Sequence, residues 1–344
     1  MIFAIETSCD ETSTAILNFK GRVLSHIVVS QKDHQKFGGV VPEIASRAHL
    51  EILQRIIPKT FKVAGIKNSS IKVYCATCGP GLIGGLLVGS TIAKSMAIAN
   101  KKPFYPINHL EGHALSVQIN DHISFPYLLL LITGGHTQIY LVKDIFQYKL
   151  LGSTIDDSVG ETFDKAAKMM GMQYPGGKNL EIKAREGKGE IKLPRPLINS
   201  LDCNFSFSGL KTAVKLHLDK NKRPTSQFIN DMCSSFQKAV IDVLIKKTEN
   251  ALAVTKKKNI NIKNFVIAGG VAANLEIKKS FDQLCKKNEL RFYSPPKKLC
   301  GDNAAMIGWA CLQRYKKGFP DDINFVPRPR WNLENIKIYK KSSK

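Results

Sequence analysis

Apolar segments and polar turns alternate over the first thirty residues in the manner of antiparallel strands. The segments IFAIET, TAILN and RVLSHIVVS predict three strands, with the polar turn SCDETS after the first of them. Apolar residues then recur at helical spacing over residues 41–65. A buried strand, KVYCAT, opens into a glycine-rich turn and a helix, and the strand KPFYPIN leads into the segment HLEGHALS. The pattern predicts hairpins followed by alternating helices and strands.

A second unit of the same kind begins near residue 126. YLLLLIT, TQIYLVK and FQYKLLGST predict three strands before a helix at SVGETFDKAAKMMG, and later segments repeat the strand, glycine turn and helix. This duplication predicts an α/β fold with two domains, residues 1–125 and 126–344, around a cleft. A Gly-, Pro- and Lys-rich stretch near 174–225 predicts an irregular insertion, and we expect the last helix to pack back on the N-terminal domain.

The charge of the chain is strongly positive. Lysine and arginine number 51 against 28 aspartates and glutamates, which gives a net charge of +23 in 344 residues. Such an excess attracts a polyanion, nucleic acid first and an anionic membrane surface second. The lysines are dispersed, however, and a genome biased toward lysine and asparagine codons would give the same composition. Composition alone leaves both explanations open.

The eight cysteines are scattered along the chain without the density of a disulfide scaffold, which predicts a reducing compartment and hence a cytoplasmic protein. Cys75 and Cys78 form one C-x-x-C pair, and a buried strand explains it more simply than a redox or zinc role. We expect no targeting signal, because the chain begins with apolar alternation and no basic segment. We also expect no membrane span, because the most apolar segment stops at Lys94.

The segment HLEGHALS places His109 and His113 four residues apart. At about 100° per residue the two imidazoles lie about 40° apart on a helix, close enough to share one metal ion. In the H-E-x-x-H proteases the glutamate directly follows the first histidine, whereas Glu111 lies two positions on. The spacing favours a metal site and disfavours protease chemistry. Two helical histidines with ordinary packing roles are an equally good interpretation of this segment alone.

Three turns that follow predicted strands suit a nucleotide. TSCDETS offers hydroxyls with Asp10 and Glu11, and ITGGHT and IAGGVAAN offer backbone N–H groups beside glycines. Their places in a duplicated fold predict a nucleotide cleft. A metal ion on two histidines would need a carboxylate as third ligand, and Asp302 in CGDNAAMIG is a candidate. The commoner role of an aspartate at that place is to cap a helix.

Eight motifs, in order and over nearly the whole chain, resemble the TsaD family of tRNA N6-adenosine threonylcarbamoyltransferases. They are IETSCDETS, HLEGHALS, TGGHT, GETFDKAAKMMG, YPGG, FSFSGLKTA, AGGVAAN and DNAAMIG, and FSFSGLKTA resembles the bacterial branch. The resemblance implies a duplicated actin/Hsp70/sugar-kinase-like (ASKHA) fold. It also implies transfer of a threonylcarbamoyl group from threonylcarbamoyl-AMP to N6 of adenosine 37, in tRNAs that read codons beginning with A, with release of AMP.

The resemblance further implies site residues and partners. His109, His113 and Asp302 would hold one divalent metal ion, usually described as iron, with zinc also suited. Asp10 and Glu11 would lie near the site. The adenylate would contact Leu131, Ile132, Thr133, Gly134, Gly135, Asp164, Gly177 and Asn274. The partners would be tRNA, a paralogous ASKHA subunit and a small P-loop ATPase.

The chain departs from the family pattern beside the expected adenylate site. Thr133 stands where the family commonly has serine, and it keeps the hydroxyl. Lys178 replaces a proline after YPGG. Glu181 replaces an aspartate, so the carboxylate expected at a ribose hydroxyl is one methylene longer.

The expected chemistry fits these residues. A carbamoyl–phosphate mixed anhydride is already activated, so the site mainly has to orient it and stabilise an oxyanion, which a metal ion can do as a Lewis acid. We hypothesise that Asp10 or Glu11 assists removal of the N6 proton. The rival functions are a metalloprotease, which the place of Glu111 disfavours, a sugar-kinase-like ATPase, for which no sugar-binding block is present, and a non-catalytic nucleotide-binding scaffold, which stays open.

Overall fold

The computed structural model describes residues 1–37 and 39–336. The chain divides into two compact units, Met1–His122 with Asp302–Lys344, and Ile123–Gly301. The chain from Asp302 onward therefore lies in the first unit, although the sequence pattern grouped residues 126–344 into one domain. Among the described residues, no helix is long and apolar enough to cross a membrane.

The first unit contains a five-stranded mixed sheet. Its strands are β1 Ile2–Glu6, β2 Glu11–Leu17, β3 Val23–Ser30, β4 Val73–Gly79 and β5 Phe104–Asn108, in the order β3-β2-β1-β4-β5. The first three strands pair antiparallel, and β1, β4 and β5 run parallel. All residues of β1, β4 and β5 are buried, as expected for parallel strands covered on both faces. Cys75 and Cys78 lie in β4 as buried strand residues.

Four α-helices lie among the described residues of the first unit: α1 Pro42–Ala64, α2 Ile83–Ala99, α3 His109–Ser116 and, in sequence after the second unit, α10 Ala304–Lys316. Helix α1 begins at a proline and ends at Gly65, whose positive φ closes the last turn. Helix α10 packs against β1, β2 and α3, which explains why the chain from Asp302 belongs to this unit. The helix HLEGHALS is confirmed over its full length as α3.

The second unit repeats the first in topology. Its strands are β6 Tyr127–Ile132, β7 Thr137–Asp144, β8 Gln147–Ser153, β9 Asn264–Ala268 and β10 Arg291–Tyr293, in the order β10-β9-β6-β7-β8. Strands β6, β7 and β8 pair antiparallel, and β6, β9 and β10 pair parallel. The first strand of each set is thus the centre of its sheet, which confirms the predicted duplication.

The second unit has six helices among its described residues: α4 Val159–Met169, α5 Gly177–Ala184, α6 Ser208–Lys220, α7 Ser226–Lys257, α8 Leu275–Lys287 and α9 Lys297–Cys300. Helices α5 and α6 lie in the stretch near 174–225 that composition indicated as irregular. Leu180, Phe205 and Leu210 from this stretch are buried in the core of the unit. The glycines and prolines between these helices dominate the composition of the stretch, so composition alone did not indicate the apolar residues that pack the helices into the core.

Candidate metal centre and nucleotide-binding turns

The two histidines lie one turn apart on a short helix with a side-chain cap at its start. The Asn108 side chain accepts hydrogen bonds from the N–H groups of Leu110 at 2.8 Å and Glu111 at 3.3 Å, so α3 begins directly after β5. His109 therefore occupies the first helical position, and His113 follows one turn later. Their ring centroids are 4.7 Å apart and both residues are buried. The local sequence thus fixes both imidazoles on one face.

Asp302 completes the group from the start of α10. Its Oδ1 lies 3.0 Å from Nε2 of His113 and 3.4 Å from Nε2 of His109. The helix cap is the next residue, Asn303, whose side chain accepts from the N–H of Met306 at 3.0 Å. The expectation that Asp302 caps α10 is therefore wrong: Asn303 takes that role, and the Asp302 carboxylate faces the imidazoles.

This arrangement fits a divalent metal ion. One ligand atom from each of His109, His113 and Asp302 can be chosen so that all lie within 4.8 Å of one another. Two imidazole nitrogens and one carboxylate oxygen suit zinc and ferrous iron alike, and three protein ligands leave a coordination position open for a substrate. The fold brings together the three residues that the sequence offered as candidate ligands.

A fourth residue of the group, Glu6, did not emerge from the sequence. It is fully buried at the end of β1 and accepts a hydrogen bond from the N–H of Ser8 at 2.6 Å and another from the Thr77 hydroxyl. Its Oε2 lies 3.1 Å from Nδ1 of His109. The sequence did contain a signal for it, because Glu6 ends a strand whose other residues are all apolar. A carboxylate buried at such a place requires polar partners, and these can belong to a site.

The charges of the group set the titration of its members. Burial opposes protonation of His109, but the Asp302 and Glu6 carboxylates outweigh it and raise the pKa of His109 well above its usual value. Burial also opposes ionisation of Asp302, and His109 and His113 outweigh it, so the pKa of Asp302 lies well below its usual range. For His113 burial prevails and lowers the pKa. The Glu6 and Asp302 carboxylates, both at the His109 imidazole, thus favour a positive charge at this position.

Asp10 lies in the turn between β1 and β2, and Glu11 is the first residue of β2, on the same unit as the candidate metal-binding group. The backbone carbonyl of Asp10 accepts from the N–H of Gln31 at 3.1 Å, and the carbonyl of Cys9 lies 2.9 Å from Nε2 of the buried His49. The turn is therefore held by the body of the unit. Burial, with the Asp302 and Asp10 charges, raises the pKa of Glu11 well above its usual value. Both carboxylates are only partly exposed.

The Glu111 side chain forms an ion pair and is not placed as the general base of a metalloprotease. Its Oε2 accepts from Nε of Arg314 at 3.1 Å and from Nη2 at 2.6 Å, and both side chains are largely buried. A metalloprotease would use this carboxylate to take a proton from a metal-bound water. In this protein the guanidinium holds it in an ion pair between α3 and α10.

In the second unit, the turn after β6 presents open backbone. Leu131 and Ile132 end the strand, and the Thr133 hydroxyl accepts from the N–H of Gly135 at 3.2 Å, which shapes the turn. A Cβ added at Gly134 or Gly135 would meet no atom within 4 Å. The hydroxyl that the chain keeps at Thr133 therefore acts on the turn itself, and the glycines leave room for a ligand against the backbone.

The turn after β9 lies directly beside it. Gly269 has φ of +99° and packs so closely on the Ile132 carbonyl that a Cβ could not be placed there. The adjacent Gly270 is open, with no atom within 4 Å of a built Cβ. Two strand ends of the second unit thus bring their glycine turns together, which is the expected geometry for binding a phosphate through backbone N–H groups.

Asp164 fastens the start of α5. Its Oδ1 accepts from the N–H of Gly176 at 2.8 Å and of Gly177 at 3.2 Å. The carboxylate therefore binds the amides of the YPGG turn. This contact brings together Asp164 and Gly177, two of the residues expected at the adenylate.

Glu181 and Asn274 meet where α5 approaches the start of α8. Oε1 of Glu181 accepts from the N–H of Leu275 at 3.1 Å and from Nη2 of Arg185 at 2.8 Å. The Asn274 side chain caps α8 and donates to the Gln237 amide oxygen at 2.8 Å. The added methylene of Glu181 thus lets it reach the N–H next to Asn274, and the two expected ligand residues are neighbours in the fold.

Comparison with known proteins gives a consistent family match. A family model described as TsaD, tRNA N6-adenosine threonylcarbamoyltransferase, matches residues 22–309. A protein of that name from Wolbachia sp. subsp. Drosophila simulans is 47% identical over 335 residues, covering 97% of this chain and 99% of the relative. One from Brucella suis is 47% identical over 341 residues, covering 97% and 95%.

Solved structures resemble the chain in fold at low identity. HypF of T. kodakarensis matches with a TM-score of 0.57 and 14% identity, covering 92% of this chain and 48% of that one. Component A of the (R)-2-hydroxyglutaryl-CoA dehydratase of Acidaminococcus fermentans matches with a TM-score of 0.50 and 14% identity, covering 92% and 96%. Together with the two repeated sheets, these likenesses confirm the expected ASKHA-type α/β fold.

Proposed function

The chain belongs to the TsaD family of tRNA N6-adenosine threonylcarbamoyltransferases, and we propose that His109, His113 and Asp302 form the metal centre at which it works. It is an acyltransferase that modifies tRNA by threonylcarbamoyl transfer to N6 of adenosine. The observation that carries the proposed centre is the convergence of two buried imidazoles and one carboxylate in a member of this family.

The metal ion we propose is iron or zinc, with iron the first expectation. When bound, it supplies a Lewis acid that stabilises negative charge on an oxygen of the substrate. His109, His113 and Asp302 would hold the ion through three side-chain atoms, and a site with three protein ligands has room for a substrate atom. This donor set supports either metal.

We infer that the donor substrate is threonylcarbamoyl-AMP and that the turns of the second unit bind its AMP part. The open backbone at Gly134, Gly135 and Gly270 supports binding of the phosphate, and Leu131 and Ile132 precede that turn. The proposed ribose and base contacts come from Asp164 in α4, Gly177 and Glu181 in α5, and Asn274, which caps α8. Binding by amides suits a leaving group that must depart as an anion.

The transfer forms a bond between N6 of adenosine and the carbamoyl carbon and breaks the bond from that carbon to the phosphate oxygen. AMP leaves with the bonding electrons, and the attacking nitrogen loses a proton. We propose that Asp10 or Glu11 receives it, since Asp10 directly precedes β2 and Glu11 begins it, on the unit that holds the proposed metal ligands. Alanine variants of both that lose only about twofold in rate would contradict this role, since general base catalysis contributes about a hundredfold or more.

The family acts on tRNA, and the net charge of +23 supports binding to a polyanion. We infer two further partners, a paralogous ASKHA subunit and a small P-loop ATPase, and a cytoplasmic location, where tRNA is modified. A metalloprotease finds no support, because Glu111 is held by Arg314.

Metal analysis of the purified protein tests the proposed centre. The wild type is expected to retain about one iron or zinc ion per chain, and His109→Ala, His113→Ala and Asp302→Ala are expected to retain almost none. His26→Ala is the matched control, because this histidine lies in β3, outside the group, and should leave the metal content unchanged. Equal metal content in all five proteins would overturn the proposed centre.

A further inference from the structure

Glu6 contacts the ring nitrogen of His109 that faces away from Asp302. Its Oε1 accepts from the N–H of Ser8 at 2.6 Å, and its Oε2 accepts from the Thr77 hydroxyl. The same Oε2 lies 3.1 Å from Nδ1 of His109. An ionised carboxylate can only accept hydrogen bonds, so this contact requires a proton on Nδ1.

That proton decides which nitrogen can bind a metal ion. A neutral imidazole carries one proton, and Nδ1–H leaves the lone pair on Nε2. Nε2 is the nitrogen that lies 3.4 Å from Oδ1 of Asp302. We propose that Glu6 is a positioning residue of the metal centre, which holds His109 in the tautomer and orientation that direct Nε2 toward the metal.

The other histidine has no equivalent partner. Nδ1 of His113 is buried and has no hydrogen-bond partner among residues 1–37 and 39–336. The His113 ring is therefore held by packing and by its Nε2 contact with Asp302, whereas Glu6 and the Ser8 hydroxyl, 3.1 Å from Nδ1 of His109, hold the far side of the His109 ring. The influence of Glu6 on metal binding therefore passes through one ligand.

Glu6→Gln is the diagnostic substitution. The glutamine oxygen keeps the bond from the Ser8 N–H, which turns the amide nitrogen toward His109. An amide N–H can only donate, so it favours His109 with a bare Nδ1 and a protonated Nε2. The substitution thus keeps the size of the side chain and selects the tautomer that cannot ligate through Nε2.

The experiment compares metal-free wild type, Glu6→Gln and Glu111→Gln by titration with Co²⁺, followed through its visible absorption. Loss of an outer partner of a metal-bound histidine weakens metal binding by about 10–100-fold, and this is the result expected for Glu6→Gln. Glu111→Gln is the matched control, because it alters an equally buried carboxylate on α3 that forms an ion pair with Arg314. It should lower thermal stability and leave the Co²⁺ affinity unchanged.

Nitrogen NMR of the zinc-loaded wild type tests the same point without a substitution, so the test stands even where a variant fails to fold. His109 is expected to carry its proton on Nδ1 and the metal on Nε2, and the reverse assignment would overturn the inference.

The inference rests on the proposed metal centre, and the outcomes separate the two. A wild type that binds neither Co²⁺ nor zinc would overturn the centre itself. Equal Co²⁺ affinity in wild type and Glu6→Gln would overturn the role of Glu6 and leave the centre in place. Equal weakening in both glutamine variants would also overturn it, because it would reduce Glu6 to a general structural contribution.

Discussion

At the scale of single residues, one carboxylate oxygen contacts both histidines of the proposed metal centre. Oδ1 of Asp302 lies within 3.4 Å of Nε2 of both His109 and His113, so it is the group's shared contact. Since Asn303 caps α10, Asp302 can be changed without removing the helix cap. We therefore expect substitution of Asp302 to lower the metal affinity more than it lowers the free energy of unfolding.

Asp302→Asn tests this assignment. The change keeps the size of the side chain and removes its charge, and metal affinity is expected to fall by more than about 100-fold, beyond the range of outer-partner changes. Titration with Co²⁺ measures it, and Asp282→Asn, on exposed α8 surface, is the control. A loss of less than about tenfold would show that Asp302 is not a ligand.

The glycines of the second unit divide into two kinds with opposite expected effects. Gly269→Ala places a Cβ against the Ile132 carbonyl at a residue with φ of +99°, and it is expected to lower the free energy of unfolding by about 1–3 kcal/mol. Denaturant unfolding measures this, and a loss under about 0.5 kcal/mol would contradict the strain at that turn.

Gly134→Ala is the counterpart. Its Cβ meets no atom within 4 Å, so the free energy of unfolding should stay within about 0.5 kcal/mol of wild type. Binding of AMP should nevertheless weaken, because the methyl group occupies the surface that we assign to the phosphate. Calorimetric titration with AMP gives the answer, and unchanged affinity would place the phosphate elsewhere.

At the scale of elements, a buried ion pair joins α3, which carries His109 and His113, to α10, which begins two residues after Asp302. Glu111 on α3 accepts two hydrogen bonds from Arg314 on α10, and Arg314 also donates to the Pro106 carbonyl at 2.7 Å. Removal of one partner would leave the other charge buried and uncompensated. The contribution of each of these two side chains to stability therefore depends on the presence of the other.

A double-mutant cycle with Glu111→Leu and Arg314→Met tests this dependence. Each single change is expected to lower the free energy of unfolding by about 3–5 kcal/mol, and the double change by less than the sum. Denaturant unfolding of the four proteins measures the coupling. Additive losses would mean that the ion pair itself does not hold α3 to α10.

Sequence reasoning succeeded where local patterns decide and failed where distant pairings do. Helix α3 was predictable because its apolar pattern and both metal-binding histidines lie within one motif. The Glu6–His109 contact spans 103 positions and the Glu111–Arg314 pair spans 203, so no local pattern could reveal either. The cap of α10 was misassigned by one residue, because Asp302 and Asn303 are both good capping residues.

At the scale of the whole molecule, the duplicated topology was readable from the sequence. Each unit has the same strand order, with its first strand at the centre of the sheet. The sequence grouped residues 126–344 into one domain and expected only the last helix to pack back, whereas the division between the units falls before Asp302, and α10 packs against β1 and β2. That packing brings Asp302 to His109 and His113.

The net charge of +23 makes a prediction about tRNA binding. Because lysine and arginine contacts to phosphates release counterions, the affinity should fall at least about tenfold between about 50 and about 200 mM salt. Filter binding with unmodified tRNA measures the slope. A change below about twofold would mean that the positive charge of the chain reflects its composition and not its partner.

The central claim is threonylcarbamoyl transfer to tRNA at the His109–His113–Asp302 centre. The most direct measurement incubates the protein and its proposed partner subunits with threonylcarbamoyl-AMP and unmodified tRNA, and then quantifies the modified nucleoside by mass spectrometry. We predict modified adenosine with wild type, and its loss with His109→Ala and Asp302→Ala. Undiminished product with both folded variants would contradict the proposed centre, and unmodified tRNA with folded, metal-loaded wild type would contradict the transfer itself.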